Sequence, residues 1–266
     1  MALLNTTTST DENEALFQEL FGSDSSEGDT VLEKLELEMA QLQHEALIRE
    51  DCVIIEHPVP GMAVYRNALD TKPSMLFFEW LSAKYFSNTP HLQDTAATPN
   101  GPRINQGMHF GALSGAAGHA PLGILAAACM NMKGLLPHSV VDSRGRDGCL
   151  FDQAIVNLYD AGEGIGDHID LLRFADGIVG FSFGGSATMR LRRLYNDEDV
   201  ERASKYAQED LGGSASDCVL VRLDAGDVYS MAGDARYRWT HGIPAQIGGR
   251  NNVQSRRISV TLRKLE

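Results

Sequence analysis

Three residues of this chain have the types and spacing to hold a metal ion together. His168 and Asp170 stand two apart in Gly166-Asp-His168-Ile-Asp170, and His241 lies far downstream in Tyr237-Arg-Trp-Thr-His241-Gly. Side chains two apart on an extended strand point to the same side, so His168 and Asp170 can reach one ion. Two imidazoles and one carboxylate are the facial ligand set of non-haem Fe(II), which leaves positions open for a co-substrate and O2. A Cys-rich set would point to zinc or an iron–sulfur cluster instead. The four cysteines, Cys52, Cys129, Cys149 and Cys218, form no CxxC pair. A lone His-x-Asp pair arises by chance in many chains, so its surroundings carry the argument.

Those ligands need strands to place them. Gln153 to Tyr159 reads as a strand with Asn157 and Tyr159 on one face, and the turn Gly162-Glu-Gly164-Ile leads from it into His168. The C-terminal strand alternates throughout. Arg257, Ser259, Thr261 and Arg263 face one way; Ile258, Val260 and Leu262 face the other. Such a strand lies either at a surface or in a barrel with a polar interior, and a buried Arg needs an anion. Further strands are expected at 178–183, 187–193, 218–222, 227–230 and 239–243, with a polar insertion at 195–216. Short strands expected at 52–56 and 61–65 precede helices over 73–86 and 122–135, with a loop-rich stretch at 87–120. The many short strands with Gly-rich turns indicate a mainly β sandwich or barrel, buttressed by helices.

Composition narrows the setting. The chain has 266 residues and no apolar run long enough to span a membrane, and its first residues lack the pattern of a signal peptide. The cysteine usage fits a reducing compartment, cytoplasm or nucleus, with Cys129 and Cys218 as buried thiols. The net charge of −13 is unevenly distributed. Residues 1–51 carry 13 acidic and 2 basic side chains, and residues 52–266 carry 23 and 21. A local basic groove for nucleic acid therefore remains open, and Arg190, Arg192 and Arg193 could meet phosphates or be solvated. Residues 1–30 read as a disordered acidic tail, in which Leu16, Phe17, Leu20 and Phe21 could form a short partner-binding helix. Residues 31–50 read as an amphipathic helix capped by Asp29 or Thr30, and residues 51–266 as the folded domain.

The ordered set Asn157-x-Tyr159, Gly162-x-Gly164-Ile, His168-x-Asp170, Gly226-Asp227, Arg236-Tyr-x-Trp-x-His241 and Arg257-x5-Arg263 resembles the AlkB family of Fe(II)- and 2-oxoglutarate-dependent dioxygenases. The resemblance covers about residues 100–265. It implies a double-stranded β-helix, a distorted jelly roll, with His168, Asp170 and His241 on Fe(II). It further implies Arg257 on the distal carboxylate of 2-oxoglutarate, Asn157 and Tyr159 also contacting that co-substrate, and Arg263 beside Asp170. The run from His168 to Ile178 is most similar to the domains that hydroxylate a modified wobble uridine in tRNA. Asn105-Gln106-Gly-Met108-His109-Phe110 stands where that family carries its substrate lid. Leu172 stands where base-repair members place an acidic residue.

The resemblance implies an enzyme that consumes 2-oxoglutarate and O2 and hydroxylates a nucleobase, with tRNA as its RNA partner. Oxidative demethylation of an alkylated base and hydroxylation of a protein side chain are the alternatives of the same chemistry. A non-catalytic scaffold that retains the metal and 2-oxoglutarate sites is the alternative of another class. The acidic tail would be free to bind a protein partner.

Overall fold

A computed structural model describes residues 28–42, 47–56, 58–87, 106–111, 113, 120–145, 150–205, 218–247, 250–253 and 255–266. Most of the acidic tail, including its Leu16–Phe21 segment, lies outside the described residues. Two antiparallel sheets face each other. The major sheet contains β1 (Val53–Glu56), β2 (Met62–Arg66), β3 (Gln106–Phe110), β4 (Gln153–Tyr159), β6 (Ile178–Gly184), β9 (Val228–Met231) and β13 (Arg257–Arg263), in the order β1-β2-β9-β6-β13-β4-β3. The minor sheet contains β5 (Ile165–His168), β7 (Ala187–Arg193), β8 (Cys218–Leu223) and β10 (Trp239–Ile243), in the order β5-β10-β7-β8. A small ribbon, β11 (Gln246–Ile247) with β12 (Arg250–Asn251), extends beyond β10. This is the expected mainly β jelly roll with helices against one sheet.

Strand β13 explains why the layers form. It is buried along its whole length and lies between β4 and β6. Its aliphatic side, Ile258, Val260 and Leu262, joins Val156, Leu158, Phe181 and Phe183 in the main core. Helices α1 (Gly28–Ala40), α2 (Thr71–Phe86), α3 (Ala120–Asn131) and α4 (His138–Gly145) supply the matching cover, with Met39, Phe77, Trp80, Leu125 and Val140. Phe77 stacks on Phe183 at 5.5 Å between ring centroids. Each such fully buried side chain contributes about 1.5–3 kcal/mol before entropy. The other side of β13 is polar and faces the space between the sheets. That space is apolar at one end, where Met189, Leu191, Val221, Met231 and Trp239 pack together.

The strands expected at 153–159, 187–193 and 239–243 are β4, β7 and β10 to the residue, and the others differ by one or two positions. The helices differ more. α1 spans 28–40 rather than 31–50, so Asp29 and Thr30 lie inside its first turn and cannot cap it. The third helix stops at Asn131, before Gly134, whose φ of 78° ends the helical path. β3, in the stretch expected as loop, becomes a strand because β4 offers it a free edge. α4 and α5 (Asp197–Lys205) also form where no element was expected; α5 lies within the polar insertion. Cys129 is buried, while Cys218 is only half-buried at the start of β8. No helix among the described residues is long and apolar enough to cross a membrane.

Asp227, 1% exposed, ties the ends of three strands. It accepts hydrogen bonds from Arg66 Nη1 at 2.6 Å and from the backbone N–H groups of Asn67 and Asp224 at 2.9 Å each. Asn67 has φ of 50°, the only positive value of a non-glycine among the described residues, and this hydrogen bond helps hold it there. Asp227→Ala is expected to strand these donors and to lower stability by about 3 kcal/mol, measured by urea denaturation.

Candidate active site

Adjacent strands of the minor sheet deliver two of the three candidate ligands. His168 ends β5 and is paired in register with His241 of β10. Their rings lie 4.4 Å apart between centroids. Asp170 follows one residue beyond the adjacent Ile169, and one ligand atom each of His168, Asp170 and His241 lies within 4.8 Å of the others. His168 Nδ1 lies 2.9 Å from the Gly166 carbonyl oxygen. A proton on Nδ1 donated there leaves Nε2 as a lone-pair donor, and Nε2 is the atom that lies 3.9 Å from Asp170 Oδ1.

Asp170 is 4% exposed and is held by two arginines from outside the minor sheet. Arg263 Nη2 donates to its Oδ1 at 2.7 Å. Arg236, itself 1% exposed, donates to the carbonyls of Asp170, Leu171 and Phe174 at 3.0, 2.8 and 3.0 Å. It thereby fastens the turn that carries the carboxylate. Arg236 lies on a short helical turn, α6 (Asp234–Tyr237), just before β10. Burial works against ionisation of Asp170, but Arg263, His241, His168 and Arg236 outweigh it and hold the acid at about 2. Its second oxygen, Oδ2, is buried without a hydrogen-bond partner. A buried carboxylate oxygen left bare beside two imidazoles fits a metal ligand well. For His241 the balance favours the neutral ring. Part of the ring remains open to the pocket, yet burial among the walls, then His168, pushes it down to about 3.

The pocket beside these ligands encloses about 400 Å³, part of it open to solvent. Asn157, Tyr159, Arg257, Ser259, Thr261 and Arg263 line its major-sheet side, as the alternation of β4 and β13 predicts. Arg257 is 1% exposed, and its Nε donates to Ser182 Oγ at 3.0 Å. Its guanidinium lies 5.5 Å from the Tyr159 ring centroid, and Nη1 is buried without a partner. No carboxylate among the described residues pairs with it, so burial opposes a charge that nothing neutralises. The chemistry of this cradle fits the carboxylate of a bound small acid. Asn157 Oδ1 accepts from Gln106 Nε2 at 2.7 Å, which turns the amide so that its NH2 remains to donate.

All seven candidate residues converge here. Sequence reasoning missed Ser182 and Tyr229, and it placed Gln106 in the lid segment without its hydrogen bond to Asn157. Tyr229 lines the pocket with its hydroxyl pushed up to about 12 by burial, so it remains protonated. Its ring lies against Gly180, where an added Cβ would come within 2.2 Å of it. A bare glycine paired with an aromatic across two strands was the signal available. Two of the three arginines of β7 expected to meet phosphate or solvent have an intramolecular acid instead. Arg190 and Arg192 turn onto the buried carboxylate of Asp167, and Arg193 lies 5.5 Å over the Tyr195 ring. The lid segment is the edge strand β3, with Met108 and Phe110 about half exposed.

Residues 125–263, just over half of the chain, match the 2OG-Fe(II) oxygenase superfamily. The chain belongs to this superfamily. The superfamily is named for oxidoreductases that use Fe(II), 2-oxoglutarate and O2. A mimivirus protein described as uncharacterized protein L905 is 29% identical over 119 residues, which are 43% of this chain and 48% of that one. A protein of Arabidopsis thaliana named alkylated DNA repair protein ALKBH8 homolog is 33% identical over 120 residues, 43% of this chain and 34% of that one. The match thus spans between a third and a half of these relatives. Among solved structures, OsALKBH1 is 15% identical with a TM-score of 0.48, covering 80% of this chain and 100% of that one. HygX from Streptomyces hygroscopicus, solved with nickel and 2-oxoglutarate bound, is 12% identical with a TM-score of 0.44, covering 77% and 82%.

The two depressed pKa values act in the same direction. The unfolded chain takes up a proton on His241 near its ordinary value of 6.5, whereas the folded chain resists until about 3. Asp170 likewise gains a proton at 3.8 when unfolded and at about 2 when folded. The unfolded state therefore binds more protons as pH falls, and the metal-free protein is expected to lose stability progressively below pH 6.5. His241→Gln is expected to flatten the upper part of that decline in thermal melts recorded at a series of pH values.

Proposed function

We propose that this chain hydroxylates a modified nucleobase and that its substrate is the wobble uridine of tRNA. The oxygenase part rests on one observation: His168, Asp170 and His241 converge beside a buried arginine that no acid among the described residues neutralises. In this reading His168 Nε2, Asp170 Oδ2 and His241 hold Fe(II). Arg257, oriented by Ser182, receives the distal carboxylate of 2-oxoglutarate, and Asn157 and Tyr159 contact the same molecule. Arg263 and Arg236 hold Asp170 ionised and aimed. Ile165, Met189 and Ile243 supply apolar walls that keep bulk water from the reacting atoms. Bound iron supplies the redox chemistry that couples O2 reduction to decarboxylation of 2-oxoglutarate, with succinate and CO2 as products and a hydroxyl on the substrate.

A nucleobase substrate is supported by the 33% identity to a plant relative named alkylated DNA repair protein ALKBH8 homolog, and the wobble uridine by the resemblance of residues 168–178 to domains that modify tRNA. It is also supported by the rim of the site. Leu171 and Leu172, directly after Asp170, are 43% and 45% exposed, and they offer an apolar edge where an acidic side chain would suit an alkylated, cationic base. A base reaches such a site only from a single strand or after flipping, and an anticodon loop presents it without breaking pairs.

Total tRNA incubated with the protein, Fe(II) and 2-oxoglutarate is expected to gain a hydroxylated wobble uridine by nucleoside mass spectrometry, and none with Asp170→Ala. Succinate release with unchanged tRNA would retain the oxygenase and discard the tRNA assignment. Arg257→Lys keeps the charge but loses the fork. It is expected to raise the KM for 2-oxoglutarate about tenfold or more, measured as succinate formed.

A further inference from the structure

Strand β5 has a short ladder for an element that carries a candidate ligand, although Ile169, just after it, packs on α5 and donates to the Ala203 carbonyl at 3.0 Å. It has four residues, lies at the edge of the minor sheet and, among the described residues, pairs with β10 alone. That pairing consists of His168 with His241 and Ile165 with Ile243, with an irregularity between them. A ladder this short does little to prevent a register shift, and a one-residue slip would turn His168 away from the pocket.

The opposite face of the same three strands carries a buried ion cluster. Asp167 precedes His168 and so points away from the pocket. It is completely buried, and Arg190 of β7 grips both its oxygens from Nε at 3.1 Å each, with Nη2 at 3.0 Å. Arg192 Nε approaches at 3.3 Å. β10 runs between β5 and β7, and its residue at the crossing is Gly242, in register with Arg190. A Cβ there would lie 2.5 Å from Asp167 Oδ1 and 2.9 Å from both the Asp167 nitrogen and the Ile165 carbonyl oxygen. The missing side chain next to His241 is what lets the carboxylate pass over β10. None of Asp167, Arg190 and Arg192 lines the pocket.

We propose that Asp167, with Arg190 and Arg192, is a positioning device for the metal centre: it pins β5 to β7 across Gly242 and so sets where His168 stands relative to His241. Apolar side chains would hold two strands together at least as well as a buried ion cluster, whereas a charge cluster penalises a wrong register. Only one pairing places Asp167 over the glycine and within reach of both guanidinium groups.

The proposal rests on His168 being a metal ligand but not on any substrate. Mn(II) binding to the full chain, followed by titration calorimetry, tests it together with the visible spectrum of the Co(II) form. Asp167→Asn keeps the shape and removes the charge. It is expected to weaken Mn(II) binding roughly 10–100-fold and to alter the Co(II) bands, with the circular dichroism of the metal-free protein unchanged. Arg190→Lys, a milder change, is expected to act in the same direction if Asp167→Asn does not fold. A lower melting temperature with Mn(II) affinity and Co(II) bands as in the parent protein would overturn the proposal and leave the cluster a plain sheet fastener. His168→Ala is the control. If it binds Mn(II) like the parent, the ligand assignment itself fails; if it does not while Asp167→Asn does, only the positioning role fails.

Discussion

A nearly buried, ionised Asp170 is the constraint on which the rest of the structure turns. Isolated charge is costly in a protein interior, so the fold must bring cations to it. It does so from two directions. Arg263 arrives from the end of β13 in the major sheet, and Arg236 from the short helical turn before β10. Asp170 thus ties the two sheets together at their polar end, its carboxylate to Arg263 and its carbonyl to Arg236, while Met189, Leu191, Trp239 and their neighbours close the other end by simple burial. The division between a wet, charged end and a dry one is what makes a pocket between sheets that elsewhere pack face to face.

Among the described residues, not every buried charge has a partner that compensates it. Arg257 is enclosed without an acid, and one oxygen of Asp170 is enclosed without a donor. Each would be a defect in a domain that only had to fold. Together, one offers a bare anion beside two imidazoles and the other a bare cation at the far side of the same pocket. A divalent metal and a small dicarboxylate would satisfy both at once. In this sense the site stores a penalty that its ligands relieve, and binding is coupled to stability through these few atoms.

Support for the site is layered. His168 is oriented by the Gly166 carbonyl, Asp170 by Arg263 and Arg236, Arg257 by Ser182, and Asn157 by Gln106. Gln106 lies on β3, an edge strand whose Met108 and Phe110 stay half exposed on the same face as Asn157. The edge strand is therefore hydrogen-bonded to a residue that lines the pocket.

Much of this was legible before any coordinates. The spacing of His168 and Asp170, the shared face of Asn157 and Tyr159 and the alternation of Arg257 to Arg263 are local properties, and period-2 patterns map directly onto faces of a strand. They gave the polar side of β13 and a sandwich or barrel; the jelly roll, and the roles of His168, Asp170, His241, Asn157, Tyr159, Arg257 and Arg263 together, were implied by the family resemblance. What the sequence did not contain in readable form was the pairing of distant segments. Arg190 and Arg192 look like a basic row until β7 is placed two strands from Asp167, and Gly242 is one unremarked residue of an expected strand until a carboxylate must cross it. Ser182, Gln106 and Tyr229 are common residue types whose roles depend on which strand lies alongside. β3 became a strand only because β4 had a free edge. Register and sheet order are decided by contacts between residues far apart in the chain, and only the tertiary structure decided them.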